Sequence, residues 1–190
     1  MSYTPLIIIG GLLAVGYFWY VSIISKRNKA RESLSTIDVQ LKQRLDLIPN
    51  ILKIAKRFME HEASLLTEVT ELRAQVEKAY DKTSASAVRE HLAAAEQLSA
   101  KMGSLMVAVE AYPDLKSDAT MIQAMQTYNE VEAQITAARR FYNASVTSLN
   151  NAVQIFPGNI IANMAGVTEM PFFEAEEAVH KPIDADQFLK

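Results

Sequence analysis

The chain begins with an apolar run and then changes period. It reads Leu6-Ile7-Ile8-Ile9-Gly10-Gly11-Leu12-Leu13-Ala14-Val15-Gly16-Tyr17-Phe18-Trp19-Tyr20-Val21-Ser22-Ile23-Ile24, nineteen residues without a charge. As a helix at ~1.5 Å per residue this run covers roughly 28 Å, close to the ~30 Å hydrocarbon thickness of a bilayer. Beyond it, apolar positions recur every three or four residues, the stripe of an amphipathic helix. Leu34, Ile37, Leu41, Leu45 and Ile48 form one stripe, and Ile51, Ala55, Phe58, Leu65, Val69, Leu72, Val76 and Ala79 a second. Val88, Leu92, Ala95, Leu98, Met102, Leu105, Val109 and Tyr112 form a third. The longest comprises Met121, Met125, Tyr128, Val131, Ile135, Ala138, Tyr142, Val146, Leu149, Val153 and Phe156. The pattern predicts an all-α protein with an N-terminal transmembrane helix followed by a helical bundle.

Breakers divide the stripes. Nothing separates the apolar run from the first stripe, so the first helix is expected to run unbroken out of the membrane. Pro49, in Asp46-Leu47-Ile48-Pro49-Asn50, lacks an amide proton and pushes Ile48 away from α geometry. The second stripe continues the first nearly in phase, which favours a bent continuous helix. Lengths favour a reversal: residues 51–81, 87–111 and 118–155 would span about 46, 38 and 57 Å and pack antiparallel, leaving 28–48 unpartnered unless the chain turns. A reversal near Pro49 is therefore the expectation. Asp81-Lys82-Thr83-Ser84-Ala85-Ser86 and Ala111-Tyr112-Pro113-Asp114 are further turn signals, with Ser117 or Asp118 as the next N-cap. Phe156-Pro157-Gly158-Asn159 stops the last long helix. Residues 160–165 and 172–178 read as short helical turns in an acidic tail that packs through Phe172 and Phe173 and frays beyond His180. Three regions result: an anchor over 1–25, a bundle over 26–157 and a tail over 158–190.

Composition sharpens the picture of the anchor. MSYTP supplies no basic start and YVSIISKRNK no small-x-small cleavage site, so a retained anchor is expected in place of a cleaved signal peptide or a buried core helix. The absence of cysteine excludes a lipoprotein anchor, a disulfide framework and a thiolate site. Lys26, Arg27, Lys29 and Arg31 follow the run directly, which by the positive-inside rule places the bundle in the cytoplasm and the N-terminus outside. The same cations would favour an anionic leaflet by about 1 kcal/mol each when close to it. Gly10 and Ala14 have the small-xxx-small spacing that lets helices approach closely. The net charge of −3 is nearly balanced, and no basic footprint for nucleic acid shows.

Little in the chain points to catalysis. His61, His91 and His180 fall on separate segments, and Glu60-His61-Glu62 lacks the second histidine of a helical zinc motif. No phosphate-binding glycine loop and no GxSxG elbow occur. The acidic residues scatter along helix faces as a solvated surface. Two polar groups call for a partner: Arg44 and Asp46 beside Pro49-Asn50, and Arg139, Arg140, Tyr142 and Asn143 within the last stripe. An arginine or Asn50 satisfying backbone groups left open at the proline is one reading, and a partner-binding site the other.

These residues carry a resemblance. Arg44-x-Asp46-Leu47-Ile48-Pro49-Asn50, His61-Glu62, Ala138-Arg139-Arg140-Phe141-Tyr142-Asn143, Phe156-Pro157-Gly158-Asn159-Ile160-Ile161-Ala162 and Phe172-Phe173-Glu174, in that order behind an anchor, resemble the LemA family of bacterial envelope proteins. Two local departures occur, at Arg27-Asn28-Lys29-Ala30 and at Leu149-Asn150. The resemblance implies an antiparallel up-and-down four-helix bundle in the cytoplasm behind a single span of the bacterial inner membrane. It implies no established enzymatic activity and no cofactor. Two roles fit: a scaffold or adaptor acting through self-association and protein contacts, or a signalling accessory coupling membrane state to a cytoplasmic partner. The expected partners are membrane lipid, further copies of the chain and an unidentified protein, with no nucleic acid, metal or small-molecule substrate.

Overall fold

The apolar run and the first stripe belong to one helix. In the computed structural model, which describes residues 3–173, α1 is a single helix from Thr4–Ala55, 52 residues long, with Pro49 inside it. A 3-10 turn, Glu60–Glu62, leads into α2 (Ala63–Val76), followed by α3 (Ala85–Val109), the one-turn α4 (Pro113–Lys116), α5 (Ala119–Gln154) and α6 (Gly158–Met164). Among the described residues there is no strand.

The four long helices form an up-and-down bundle whose directions can be read from its cross-links. Arg73 reaches Leu45 and Tyr80 reaches Asp38, so α2 runs antiparallel to α1. Lys26 meets Ser148 and Arg44 meets Glu132, which sets α5 antiparallel to α1 along most of its length. Ser99 meets Glu132 and Glu96 meets Arg139, which sets α3 antiparallel to α5. The α2–α3 turn and the foot of α5 therefore lie at the anchor end of the bundle, and the α1–α2 and α3–α5 turns at the far end.

The expected reversal near Pro49 does not occur; the chain turns between Lys56 and Glu62 instead. Continuity of the stripe outweighs the proline, because Ile48, Ile51 and Ala55 are all fully buried on the face that carries Leu41 and Leu45. The local cost of the proline is also offset. The Leu45 carbonyl, which a residue-49 amide would have bonded, instead accepts a hydrogen bond from Arg73 Nε at 3.0 Å. An arginine does serve the proline, but it comes from α2. We expect Arg73→Ala to destabilise the bundle by about 1–2 kcal/mol and by less than half of that in a Pro49→Ala background, where the new amide reaches Leu45 itself. Chemical denaturation of the four variants of this cycle measures the difference.

Caps and core otherwise follow the pattern. Ser84 accepts from the Ala87 amide and Asp118 from the Met121 amide at 2.9 Å, closing the starts of α3 and α5. Every third-stripe residue from Val88 to Val109 is buried, as are Met121, Tyr128, Val131, Ile135, Tyr142, Val146 and Leu149 on α5. Two stripe members break ranks: Ala79 is exposed in the α2–α3 turn, and Phe156 is 73% exposed beyond the end of α5. The short helix expected over 160–165 is α6, beginning at Gly158, where an added Cβ would meet the Ala152 carbonyl oxygen at 2.2 Å. Of the tail, Phe173 is buried while Phe172 is 43% exposed, and neither is helical. The remainder of the turn expected over 172–178, and the fraying beyond His180, lie outside the described residues.

Candidate functional site

Arg44 is 1% exposed, and its side chain joins three helices. Its Nη1 donates to both carboxylate oxygens of Glu132 on α5, at 2.8 and 3.2 Å, and its Nη2 donates to the Ala95 carbonyl of α3 at 2.8 Å. Ser99 donates to the same carboxylate at 2.8 Å. The guanidinium is planar and forked, so two of its nitrogens reach acceptors on two neighbouring helices in a fixed geometry that a lysine ammonium lacks. The other residues of that motif do not join it. Asp46 points outward and pairs with Lys42 at 2.9 Å, and Pro49 and Asn50 are exposed. His61 and Glu62 sit in the far-end turn, with His61 exposed.

The second motif, on α5, holds the chain segment that follows α6. Asn143 accepts from the Phe173 amide at 2.9 Å through Oδ1 and donates to the Phe173 carbonyl at 3.0 Å through Nδ2. Asn150, two turns further along the same face, does the same with Met170, both at 3.0 Å. Between them, the Tyr142 hydroxyl donates to the Pro171 carbonyl at 2.7 Å. The seven helical residues from Asn143 to Asn150 rise about 10 Å, the length that three extended residues cover, so the strap from Met170 to Phe173 fits the helix in antiparallel register. Arg139 pairs with Glu96 and lies over the buried Phe173 ring at 4.2 Å from its centroid. Arg140 is exposed and takes no part. The sequence reading missed Asn150; its heptad spacing from Asn143 was the available signal.

A third cluster, also unforeseen, closes the α2–α3 turn against α1. Asp38 accepts from Tyr80 at 2.9 Å, pairs with Lys82 and faces His91 at 3.6 Å, while the Tyr80 and His91 rings stack with centroids 4.0 Å apart. Burial pushes the Asp38 carboxyl up, but the nearby His91 ring and the bonds from Lys82 and Tyr80 outweigh it and hold the group below its ordinary value of 3.8. Burial likewise pushes the Tyr80 phenol up, with the Asp38 charge adding to it. Because the folded chain binds the Asp38 proton less tightly than the unfolded chain, the stabilisation is complete above the ordinary carboxyl value and is lost as pH falls through the folded one. Denaturation midpoints followed from about pH 5 to about pH 2 should fall, and Asp38→Asn should remove part of that slope.

Among the described residues, these groups bind backbone and each other. The groove beside Asp38, lined also by Leu41, Val76, Tyr80 and His91, is open to solvent. Among the described residues no group of three or more His, Asp or Glu side chains is placed to hold a metal ion.

The anchor stands apart from this interior. The large apolar side chains from Leu6 to Val15, along with Tyr17 and Phe18, are mostly more than half exposed. At its inner end the bundle closes in: Ile23 is fully buried and Trp19 half-buried against α6, where its ring lies 3.5 Å from the position of a Cβ on Gly158. Above that level stands the basic collar. Lys26 donates to Ser148 on α5 at 3.0 Å, and Lys29 pairs with Glu32 at 3.1 Å and lies over the exposed Phe141 ring. Arg27 and Arg31 line a small cleft with Lys82 and the backbone around Gly166. Pro157 caps α6, and Asn159 bonds the following amide.

Comparison with known proteins places the chain among relatives. Magnetosome proteins MamQ 1 and MamQ 2 of Paramagnetospirillum magneticum are each 30% identical to the chain over 89 residues, 47% of this chain and 33% of the relative. MamQ of Magnetospirillum gryphiswaldense is 29% identical over the same length. The match thus spans a third of those relatives. The profile of the LemA family covers residues 33–186, from the base of the bundle through the strap and beyond, so the chain belongs to the LemA family.

Proposed function

We propose that this chain is a non-enzymatic membrane-anchored scaffold, with its bundle on the cytoplasmic side of a bacterial inner membrane, acting through self-association and protein contacts. The observation that carries the reading is the continuity of α1: the apolar span and the central strut of the bundle are one helix of 52 residues. A protein attached this way is confined to the membrane plane, where weak lateral contacts gain from a raised effective concentration. The span offers such a contact, because a Cβ at Gly10, Gly11 or Gly16 would meet nothing within 4 Å, leaving that part of the helix open to close approach. The orientation rests on Lys26, Arg27, Lys29 and Arg31, which follow the span, set against the uncharged side chains of residues 1–5. The MamQ relatives are named as magnetosome proteins.

Light scattering on the full chain in mild detergent is expected to give a protein mass that is a multiple of 21.1 kDa. A strictly single-chain mass would contradict self-association. A second reading, a signalling accessory, is favoured by the same unbroken helix, which can pass a tilt of the span into the bundle. One dominant non-self partner in crosslinks from intact cells would mark it.

A further inference from the structure

The last apolar stripe ends in a contradiction that the bundle alone does not explain. Phe156, where the stripe should be buried, is 73% exposed, and so are its neighbours Ile155 at 60%, Ile160 at 52% and Met164 at 84%. Four large apolar side chains clustered at one end of a bundle mark an interaction surface. Their setting says which kind. From Phe141 to Thr168 the chain carries no charged residue, a stretch that includes the foot of α5 and all of α6.

Two independent measures give the height of this foot. Lys26 bonds Ser148, so those residues are level. From Lys26 back down α1 to Trp19, which touches α6, is seven residues, or about 10 Å. From Ser148 down α5 to Ile155 is again seven residues, or about 10 Å. The foot therefore lies about 10 Å on the anchor side of the first cation. A span needs close to 20 apolar residues to cross the hydrocarbon core, and α1 has that many only if it uses Ile23 and Ile24 as well as Leu6. A bilayer that takes up the whole run necessarily reaches the level of α6.

We propose that the α5–α6 foot is a second membrane contact: Ile155, Phe156, Ile160 and Met164 sit in the headgroup and upper acyl region of the same leaflet that receives the inner end of α1. This rests on the membrane-anchor reading above. The occupant is lipid. The charge pattern fits that choice, since Lys26, Arg27, Lys29 and Arg31 stand just above the foot at phosphate height, while neither residues 6–24 nor residues 141–168 carry a charge. The depth of about 10 Å matches that of an interfacial helix. The contact would fix the bundle against the membrane, with α1 and α6 as two feet, so that the bundle could not swing about the span.

These 190 residues include no cysteine, so single labels can be placed on the chain directly. Phe156→Cys and Met164→Cys change exposed side chains, with Leu12→Cys in the anchor and Ile122→Cys near the start of α5, at the far end, as references. Each full-length variant carries one nitroxide and is reconstituted into phosphatidylcholine vesicles containing phosphatidylglycerol. Relaxation by dissolved oxygen is compared with relaxation by a water-soluble nickel chelate. The oxygen-to-nickel ratio at residues 156 and 164 is expected to be several-fold above that at 122 and below that at 12. If 156 and 164 match 122 while 12 stays lipid-like, the foot is not in the membrane although the anchor is. If 12 is also water-like, the anchor reading itself fails. Dipolar broadening between labels at 156 would assign the surface to a second copy and overturn the proposal.

Discussion

Arg44→Ala is expected to destabilise the bundle by about 3–5 kcal/mol, the largest effect of any single substitution away from the membrane. The side chain is 2% exposed, and its loss removes every hydrogen bond from α1 to Glu132 and Ala95 at once. The Glu132 side chain is 27% exposed, so it keeps partial access to water and a bond from Ser99. That lessens the penalty of an abandoned charge, and the vacated volume supplies much of the remainder. Arg44→Met keeps most of the volume without the charge and should cost less than half as much. If the two variants were equally damaging, the ion pair and not the packing would carry the effect. Urea denaturation of full-length protein in detergent, followed by circular dichroism, measures both. The same comparison bears on function, because a residue that ties α1, α3 and α5 together leaves no guanidinium free for a partner.

The other large effect is on membrane attachment. Leu12→Arg with Leu13→Arg places two cations near the middle of the span, each costing about 2.5–3.5 kcal/mol for the arginine and about half a kcal/mol for the lost leucine, roughly 6–8 kcal/mol together. That shifts partition by several orders of magnitude, and the protein is expected to leave the membrane fraction and appear in the soluble or aggregated one. Ser25→Arg, at the basic collar, is expected to leave attachment unchanged. A double-arginine chain that remained in the membrane fraction would show that something other than the span holds it there. The proposed α5–α6 foot supplies too little buried surface to do so alone.

How much of this was written in the chain differs from element to element. The span, the stripes and the N-cap at Asp118 were legible because each follows from a local period or a local hydrogen bond. The course of the chain at Pro49 was not, since its outcome depends on Arg73, a residue distant in sequence that reaches back to the Leu45 carbonyl. Local rules weigh a proline against its own helix and cannot see a donor arriving from the next one. The Tyr142-Asn143 motif was legible as important but not as a clasp, because its partners are the main-chain groups of Pro171 and Phe173, which have no side-chain signature. Asp38, Tyr80, Lys82 and His91 each look like ordinary surface residues until the α2–α3 turn brings them together. Phe156 misled for the opposite reason: its spacing obeys the stripe, but the helix ends at Gln154, before the stripe reaches it.

The claim beneath all of this is that a single rigid helix is both the span and the backbone of the bundle. Hydrogen–deuterium exchange on the full chain in lipid nanodiscs tests it most directly. The account predicts slow exchange over 6–24, where lipid shields the helix, and equally unbroken protection across 25–31, where α1 leaves the bilayer. Rapid exchange across 25–31 would reveal a hinge, and rapid exchange over 6–24 would place that segment in water; either result contradicts the account.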